Sequence, residues 1–293
     1  MHFTGTVYRP PAEAYTPLIE ITQGCSHNKC KFCTMYKDVP FKLSPIEHIE
    51  EDLIELQSHV PNTERIYFVG GNPFVMSLEK LKERCLLVKK YLPNVKNIGM
   101  SARVTDINNK TVEQLKELKN LGITELYIGH ESGDDWTLKR INKGYTSKDI
   151  LEQCHKLEEA GIVYWTTFLN GVAGAKHSSE HAINSAKLFS QLQSKVVGSG
   201  SLTMFPGSEL ANEASMGEFT ELNEKQRMEE LKLFLENLDT DTHIVTHHTS
   251  ALQVGGKFPE KKKEMIDTLR YGIDNYDKLS TELTNHRHRI RTL

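Results

Sequence analysis

The sequence predicts an α/β fold, namely a partial (β/α)6 barrel of the TIM type followed by a helix-rich C-terminal extension. Short apolar runs typical of strands alternate with segments of helical periodicity, and about six such strand–helix units fit before residue 205. This order of elements implies a parallel sheet with right-handed crossovers. A recurring unit supports it, because Gly122 and Gly161 each stand between a helical segment and a strand, 39 residues apart.

The individual elements have local signatures. Ser44-Pro45-Ile46-Glu47 predicts a capping box with proline at the first helical position. Strands are expected at 18–21, 65–69, 97–101, 163–169, 196–204 and 242–246, and helices from 46, at 78–88, at 112–121 and around 183–192. The expected organisation is an N-terminal extension at 1–16, the barrel core at 17–208 and an extension packed on the barrel at 209–293.

The composition is typical of a soluble globular enzyme. Of the 293 residues, 38% are hydrophobic and 26% charged, and 36 basic against 39 acidic residues give a net charge of −3. No apolar run approaches the roughly 20 residues that span a bilayer, and the N-terminus has no apolar signal core. We therefore expect a cytoplasmic protein with no membrane partner, and the balanced charge gives no reason to expect nucleic acid.

Three of the five cysteines, Cys25, Cys30 and Cys33, crowd into the stretch QGCSHNKCKFCTMY directly after the first predicted strand. Thiolates suit zinc and iron–sulfur clusters. A closed zinc site needs a fourth ligand, for which His27 and His48 are candidates, so a zinc-knuckle binding module is one interpretation. Because barrel active sites lie in the loops after the strands, the position favours the other one. Three thiolates would then hold three irons of a [4Fe–4S] cluster and leave the fourth iron open.

The remaining two cysteines, Cys85 and Cys154, fall at apolar positions of predicted helices. Free cysteine is among the residues most often buried, and it then packs as a small hydrophobic side chain. We expect both to belong to the core and to take no part in the cluster.

The cysteine loop resembles that of the radical S-adenosylmethionine (SAM) superfamily, in which a C-x3-C-x2-C motif follows the first barrel strand. Phe32 precedes the last cysteine as an aromatic residue does in that family, whereas the first spacing here holds four residues, so the extra residue is expected as a bulge. The resemblance implies a [4Fe–4S] cluster and SAM as cofactors and an electron donor such as flavodoxin or ferredoxin. It also implies reductive cleavage of SAM to a 5′-deoxyadenosyl radical, which abstracts hydrogen from a small-molecule substrate.

Further motifs resemble the strand ends that bind SAM in this family. YFVGGNPFVM resembles the glycine-rich motif whose backbone receives the SAM amino group, where glycine leaves room for close approach, and a simple turn is the alternative interpretation. YIGHESGDDWTLKRINKGYT resembles the fourth-strand region of relatives of the anaerobic coproporphyrinogen dehydrogenases and the methylthiotransferases. The cofactor-binding residues so implied are Phe32, Gly70, Gly71, Asn72, Ser101, Arg103, Glu131, Leu169 and Met204.

Some of these residues have a second interpretation. Asn72 stands where the family has an acidic residue. Arg103 carries a planar guanidinium that suits the SAM carboxylate, and a surface arginine is the alternative. Leu169 and Met204 also fit plain barrel core.

The substrate is expected to be a small molecule, because the sequence carries no second cysteine cluster of the kind found in relatives with further iron–sulfur clusters. The working hypothesis is a lyase that releases preQ1 from queuine, and the alternative is an oxidoreductase acting on another small metabolite. The extension is expected to cap the barrel mouth, where His247 and His248 would touch the substrate. Alternatively these histidines close the bottom or edge of the barrel. The sequence assigns no catalytic side chain.

Overall fold

A computed structural model describes residues 1–247, 249–250 and 252–290 of the chain. The strands are β1 (Leu18–Glu20), β2 (Thr22–Gln23), β3 (Lys42–Leu43), β4 (Arg65–Val69), β5 (Asn97–Ala102), β6 (Ile123–Glu131), β7 (Val163–Asn170), β8 (Val196–Ser201), β9 (Thr242–Thr246) and β10 (Gly255–Phe258). The helices are α1 (Ile46–His59), α2 (Leu78–Tyr91), α3 (Val104–Asn108), α4 (Val112–Asn120), α5 (Asp135–Arg140), α6 (Ser147–Ala160), α7 (Ser178–Phe189), α8 (Glu209–Ser215), α9 (Glu224–Asn237), α10 (Lys262–Asp274) and α11 (Tyr276–Arg289). Within the described ranges, no helix combines the length and apolar character needed to cross a bilayer.

The main sheet has the strand order β1-β4-β5-β6-β7-β8-β9-β10. Parallel pairing joins β1 with β4, β4 with β5, β5 with β6, β7 with β8 and β8 with β9. The predicted α/β fold with a parallel sheet is therefore confirmed. The C-terminal extension is not purely helical, because β9 continues the parallel series and β10 runs antiparallel to it.

The predicted capping box before α1 is wrong. The helix begins at Ile46, its capping residue is Pro45, and no side chain makes a capping hydrogen bond. Ser44 lies one residue too far from the helix to cap it and instead donates its backbone N–H to Ile21 O at 3.1 Å. Other boundaries also differ from the predicted ones. For example, α7 begins at residue 178, where the prediction had about 183, and β8 ends at residue 201, where the prediction had 204.

The chain forms two compact units. The first comprises residues 1–28, 35–129 and 152–164, and the second comprises residues 29–34, 130–151 and 165–293. In the first unit, every residue of β4 after Arg65 is buried, as is typical of a parallel strand covered on both faces. Cys85 of α2 and Cys154 of α6 are fully buried in this unit, as predicted. Burial raises the pKa of Cys85 to about 12, so its thiol stays protonated at neutral pH.

From Trp165 onward, β7 belongs to the second unit, and its side chains alternate between the two faces of the sheet. Its buried and partly exposed residues alternate, as the pleat of a strand requires. Phe168 lies on the buried face, where its ring stacks on His181 of α7 at 4.7 Å and on Phe234 of α9 at 4.2 Å between centroids. Thr167 and Leu169 therefore lie on the opposite face, away from these two helices.

Candidate cofactor-binding site

The three clustered cysteines lie in one loop between β2 and β3, and the two parts of this loop belong to different compact units. We call residues 24–28, which include Cys25, the first arm. Residues 29–34, which include Cys30 and Cys33, are the second arm. All three thiols are partly exposed, in contrast to the two buried cysteines of the helices.

The first arm is held by the turn that follows β4. Gly71 donates its N–H to Gly24 O at 2.9 Å. Ser26 donates its N–H to Asn72 Oδ1, also at 2.9 Å. Because Cys25 lies between Gly24 and Ser26, this turn fixes the backbone on both sides of the first cysteine.

Neither glycine of that turn has room for a side chain. A Cβ at Gly71 would lie 2.6 Å from Gly24 O and 2.8 Å from Cys25 Cβ. At Gly70, which has a φ of +147°, a Cβ would overlap Thr22 Oγ1. The sequence interpretation assigned this space to SAM, whereas in the structure the first arm occupies it at Gly71 and Thr22 of β2 occupies it at Gly70. Contact of the two glycines with SAM stays a prediction.

Asn72 is fully buried, and its carboxamide joins the first arm to α3. The amide nitrogen donates to Ser26 Oγ at 2.8 Å and to the Asp106 carboxylate at 3.0 Å. Burial raises the pKa of Asp106, even though hydrogen bonds from Asn72 and from the Arg103 N–H oppose this shift. A second acid in place of Asn72 would face Asp106, so the neutral residue is the one that this contact requires.

Ser101 and Arg103 stand at the carboxyl end of β5, in the same unit. Ser101 Oγ is hydrogen bonded to Tyr67 OH at 2.8 Å, and burial raises the pKa of that phenol. Arg103 directly precedes α3, and its Nη1 donates to Thr105 Oγ1 at 3.2 Å. Both residues thus lie at the strand end where the sequence placed them, and their contact with SAM stays a prediction.

Asn28 lies within the four-residue first spacing of the motif, where the bulge stays a prediction. This residue has a φ of +45°, in the left-handed region that asparagine tolerates better than most side chains. Its carboxamide donates to Tyr36 O at 2.6 Å, which ties the end of the first arm to the chain beyond the last cysteine.

The second arm is held by backbone hydrogen bonds from two elements of its own unit. Lys31 donates its N–H to Ile141 O at 3.1 Å and accepts from the Leu210 N–H at 2.9 Å. Within the arm, the Cys33 N–H donates to Cys30 O at 3.2 Å, which closes a turn. The two cysteines of this arm are therefore presented by a turn that is anchored through Lys31.

Three predicted cofactor-binding residues share one apolar cluster in the second unit. Phe32, Leu169 and Met204 are partly buried and pack against the buried residues Ile141, Val172, Leu202, Leu210 and Phe219. Lys143 Nζ lies 5.9 Å from the centre of the Phe32 ring. The structure brings the three residues together and gives each a packing role, while their contact with SAM stays a prediction.

Glu131 ends β6 with a φ of +67°, which is uncommon for a residue that carries a side chain. Thr167 holds it in both directions, because the Glu131 N–H donates to Thr167 Oγ1 at 3.2 Å and the Thr167 hydroxyl donates to Glu131 Oε2 at 2.9 Å. The buried Lys143 ammonium lies 3.6 Å from the other carboxylate oxygen. A threonine hydroxyl and a lysine thus hold this acid, and its contact with SAM stays a prediction.

The turn after β9 lies across two glycines of β8. Gly198 is in register with Thr167, so both occupy the face of the sheet that points away from α7 and α9. A Cβ at Gly198 would lie 2.8 Å from His247 Nε2, and a Cβ at Gly200 would lie 3.2 Å from Thr249 Oγ1. The extension therefore places an imidazole and a hydroxyl on the sheet face that carries Thr167, the partner of Glu131.

Sequence reasoning missed several of these residues. A signal existed for the glycines of β8, because glycine inside a strand often marks close approach of another segment. Asp106 and Thr167 gave no signal, since the contacts that join them to Asn72 and Glu131 span 34 and 36 positions of the chain. His248, which was also predicted to touch the substrate, lies outside the described residues.

The donor set of the loop has the chemistry that an iron–sulfur cluster requires. Three thiolates are the ligands that a protein supplies to a [4Fe–4S] cluster whose fourth iron binds another molecule. Among the described residues, no three His, Cys, Asp or Glu side chains are arranged to hold one metal ion. By donor type and number, the three partly exposed thiols fit such a cluster.

The family assignment agrees with this donor set. The family model of the Radical SAM superfamily matches residues 19–189, which is more than half of the chain. The chain therefore belongs to this superfamily. Members of the superfamily use a [4Fe–4S] cluster and SAM.

The individual relatives share little sequence identity with this chain. The heme chaperone HemW of Bacillus subtilis is 26% identical over 171 residues, which cover 55% of this chain and 44% of that protein. An uncharacterised protein of Methanocaldococcus jannaschii is 25% identical over 231 residues, covering 75% of this chain and 70% of that protein. The crystal structure of methylornithine synthase PylB superposes with a TM-score of 0.54 at 16% identity, over 76% of this chain and 63% of that one. This chain thus spans less than half the length of HemW, and the likeness to PylB shows the fold alone.

Replacing Gly71 by alanine should impair cluster assembly before it affects SAM. The added Cβ would press on the Gly24 carbonyl and on Cys25, so the first arm must shift. We expect Gly71→Ala to lower the iron content after anaerobic reconstitution several-fold, whereas Gly5→Ala, where an added Cβ meets nothing within 4 Å, should leave it unchanged. Normal iron content with lost SAM binding would instead support the space for SAM that the sequence suggested.

Replacing Asn72 by aspartate should destabilise the first arm in a pH-dependent way. The variant loses the amide donor and sets a second carboxylate against Asp106, at a cost of roughly 1–3 kcal/mol in the free energy of unfolding. Because one of two adjacent carboxyls must keep a proton, the loss should be smaller at pH 5 than at pH 8. Thermal unfolding of the apoprotein measures it, with the exposed Asn94→Asp as control. An Asn72→Asp variant as stable as this control at both pH values would contradict the expectation.

Proposed function

We propose that this chain is a radical SAM enzyme whose [4Fe–4S] cluster is ligated by Cys25, Cys30 and Cys33. When bound, the cluster and SAM supply a 5′-deoxyadenosyl radical that abstracts hydrogen from the substrate. An electron donor such as flavodoxin or ferredoxin would provide the reducing electron. The other residues of the SAM site would be those at the ends of the strands, namely Phe32, Gly70, Gly71, Asn72, Ser101, Arg103, Glu131, Leu169 and Met204.

The observation that carries this proposal is the way the cysteine loop is held. Hydrogen bonds fix the backbone beside Cys25 in one unit and the turn from Cys30 to Cys33 in the other. A backbone held beside a ligand lowers the entropy cost of ordering that ligand when a cofactor binds. Among the side chains near the strand ends, the Glu131 carboxylate is oriented by Thr167 and Lys143.

The substrate that we propose is a small polar molecule, and queuine, cleaved to preQ1 by a lyase reaction, is the specific candidate. The support is the imidazole of His247, which the extension places on the same sheet face as Thr167. Histidine can donate or accept a hydrogen bond toward a hydroxyl, depending on its tautomer. The second candidate function is haem binding, which the 171-residue similarity to a heme chaperone favours.

The cysteine assignment predicts a clear division among the five thiols. Protein purified without oxygen should be brown and contain about four irons per chain. Cys25→Ala, Cys30→Ala and Cys33→Ala should each abolish reductive SAM cleavage and lower the iron content. Cys85→Ala and Cys154→Ala should retain both, because these residues are buried in helices. Equal behaviour of all five variants in iron analysis and 5′-deoxyadenosine assays would refute the assignment.

Product analysis separates the substrate proposals. Reduced protein incubated with SAM and queuine should yield 5′-deoxyadenosine, methionine and preQ1 by mass spectrometry. His247→Ala and Gly198→Ala should reduce preQ1 at least tenfold, since the second variant presses a Cβ against the imidazole. The exposed His243→Ala of β9 should leave it unchanged.

Each of the remaining outcomes removes one proposal. Formation of 5′-deoxyadenosine without preQ1 would remove queuine and keep the radical SAM assignment. Spectral titration with hemin tests the second candidate, and an unshifted Soret band would exclude haem binding.

A further inference from the structure

Lys31 stands between two proposed cluster ligands, Cys30 and Cys33, and helix α8 of the extension holds its side chain. The Lys31 ammonium lies 2.6 Å from Glu213 Oε1 and 2.8 Å from Glu209 Oε1. Both contacts are ion pairs, so two carboxylates of α8 hold the lysine ammonium. Lys31, which lies between the two proposed ligands, is therefore tied to α8 by two ion pairs.

Glu213 binds two cations at once. Its other carboxylate oxygen forms an ion pair with Arg140, whose neighbour in the chain accepts the Lys31 N–H. The Glu213 side chain is 10% exposed, whereas that of Glu209 is 55% exposed. Burial opposes ionisation of Glu213, but hydrogen bonds from Arg140 and Lys31 outweigh it and lower the pKa of the carboxyl. Glu213 is therefore an ionised group with little solvent screening, and Glu209 is largely screened.

Charges close to an iron–sulfur cluster change its reduction potential. Reduction adds one negative charge, which nearby cations stabilise and nearby anions oppose. Lys31 directly follows Cys30 in the chain, so its ion pairs hold the residue that is bonded to a proposed ligand. Loss of the Glu213 carboxylate would leave Lys31 and Arg140 without their shared counter-charge.

We propose that Glu213 is a positioning residue for the cluster. By binding Lys31 and Arg140 together, it holds the turn from Cys30 to Cys33 and sets the reduction potential of the cluster that this turn ligates. The inference rests on the proposed cluster site and adds a task for the extension, which tunes how readily the cluster accepts an electron.

The test is a redox titration of the anaerobically purified holoprotein, followed by electron paramagnetic resonance of the reduced cluster. Glu213→Gln keeps the size of the side chain but removes its charge, so the midpoint potential should shift to more positive values. Lys31→Met removes the opposite charge and should shift the potential to more negative values. Glu213→Asp, which keeps the charge, should stay near the wild type. The exposed Glu218→Gln of the same segment is the matched control.

Unchanged potentials in both Glu213→Gln and Lys31→Met, relative to Glu218→Gln, would overturn the inference. If Glu213→Gln binds no cluster, Glu213→Asp decides: a loaded cluster with the wild-type potential supports the role of the carboxylate, and an empty or shifted cluster overturns it. Iron and sulfide analysis of the same samples keeps the two proposals apart. A wild-type protein without iron refutes the proposed function, whereas a loaded wild type with unshifted variants refutes the role of Glu213 alone.

Discussion

Close packing of the turn after β4 against the first arm of the cysteine loop is the constraint on which the candidate site depends. Gly71 approaches Cys25 so closely that no side chain fits between them. This approach allows the hydrogen bond to the Gly24 carbonyl and brings Asn72 within reach of Ser26. The first cysteine is therefore positioned by one main-chain hydrogen bond and by one hydrogen bond to the short, buried side chain of Asn72.

The second arm is held differently, because charged and apolar side chains hold it in addition to backbone hydrogen bonds. Phe32 packs into the apolar cluster, and Lys31 is bound by carboxylates of α8. A largely buried ion pair is useful when its geometry is fixed and each charge has a partner, since an unpaired buried charge is strongly unfavourable. Glu213, with two cations around it, meets both conditions.

The C-terminal extension therefore contributes residues to the candidate site. It supplies helix α8, two strands of the main sheet and the turn that carries His247. All of these lie beyond residue 189, where the match to the superfamily ends. These contacts of the candidate site therefore come from residues outside the matched region.

Local sequence patterns determined the class of this protein, because a strand, a helix and a three-cysteine loop each leave a signature within about 15 residues of chain. They also identified the buried cysteines of the helices. Tertiary structure alone decided what Asn72 and Lys31 do, since their partners lie far away along the sequence. Asn72 meets Ser26 across 46 positions, and Lys31 meets Glu213 across 182. Such contacts form only when folding brings distant segments together, and no local pattern encodes them.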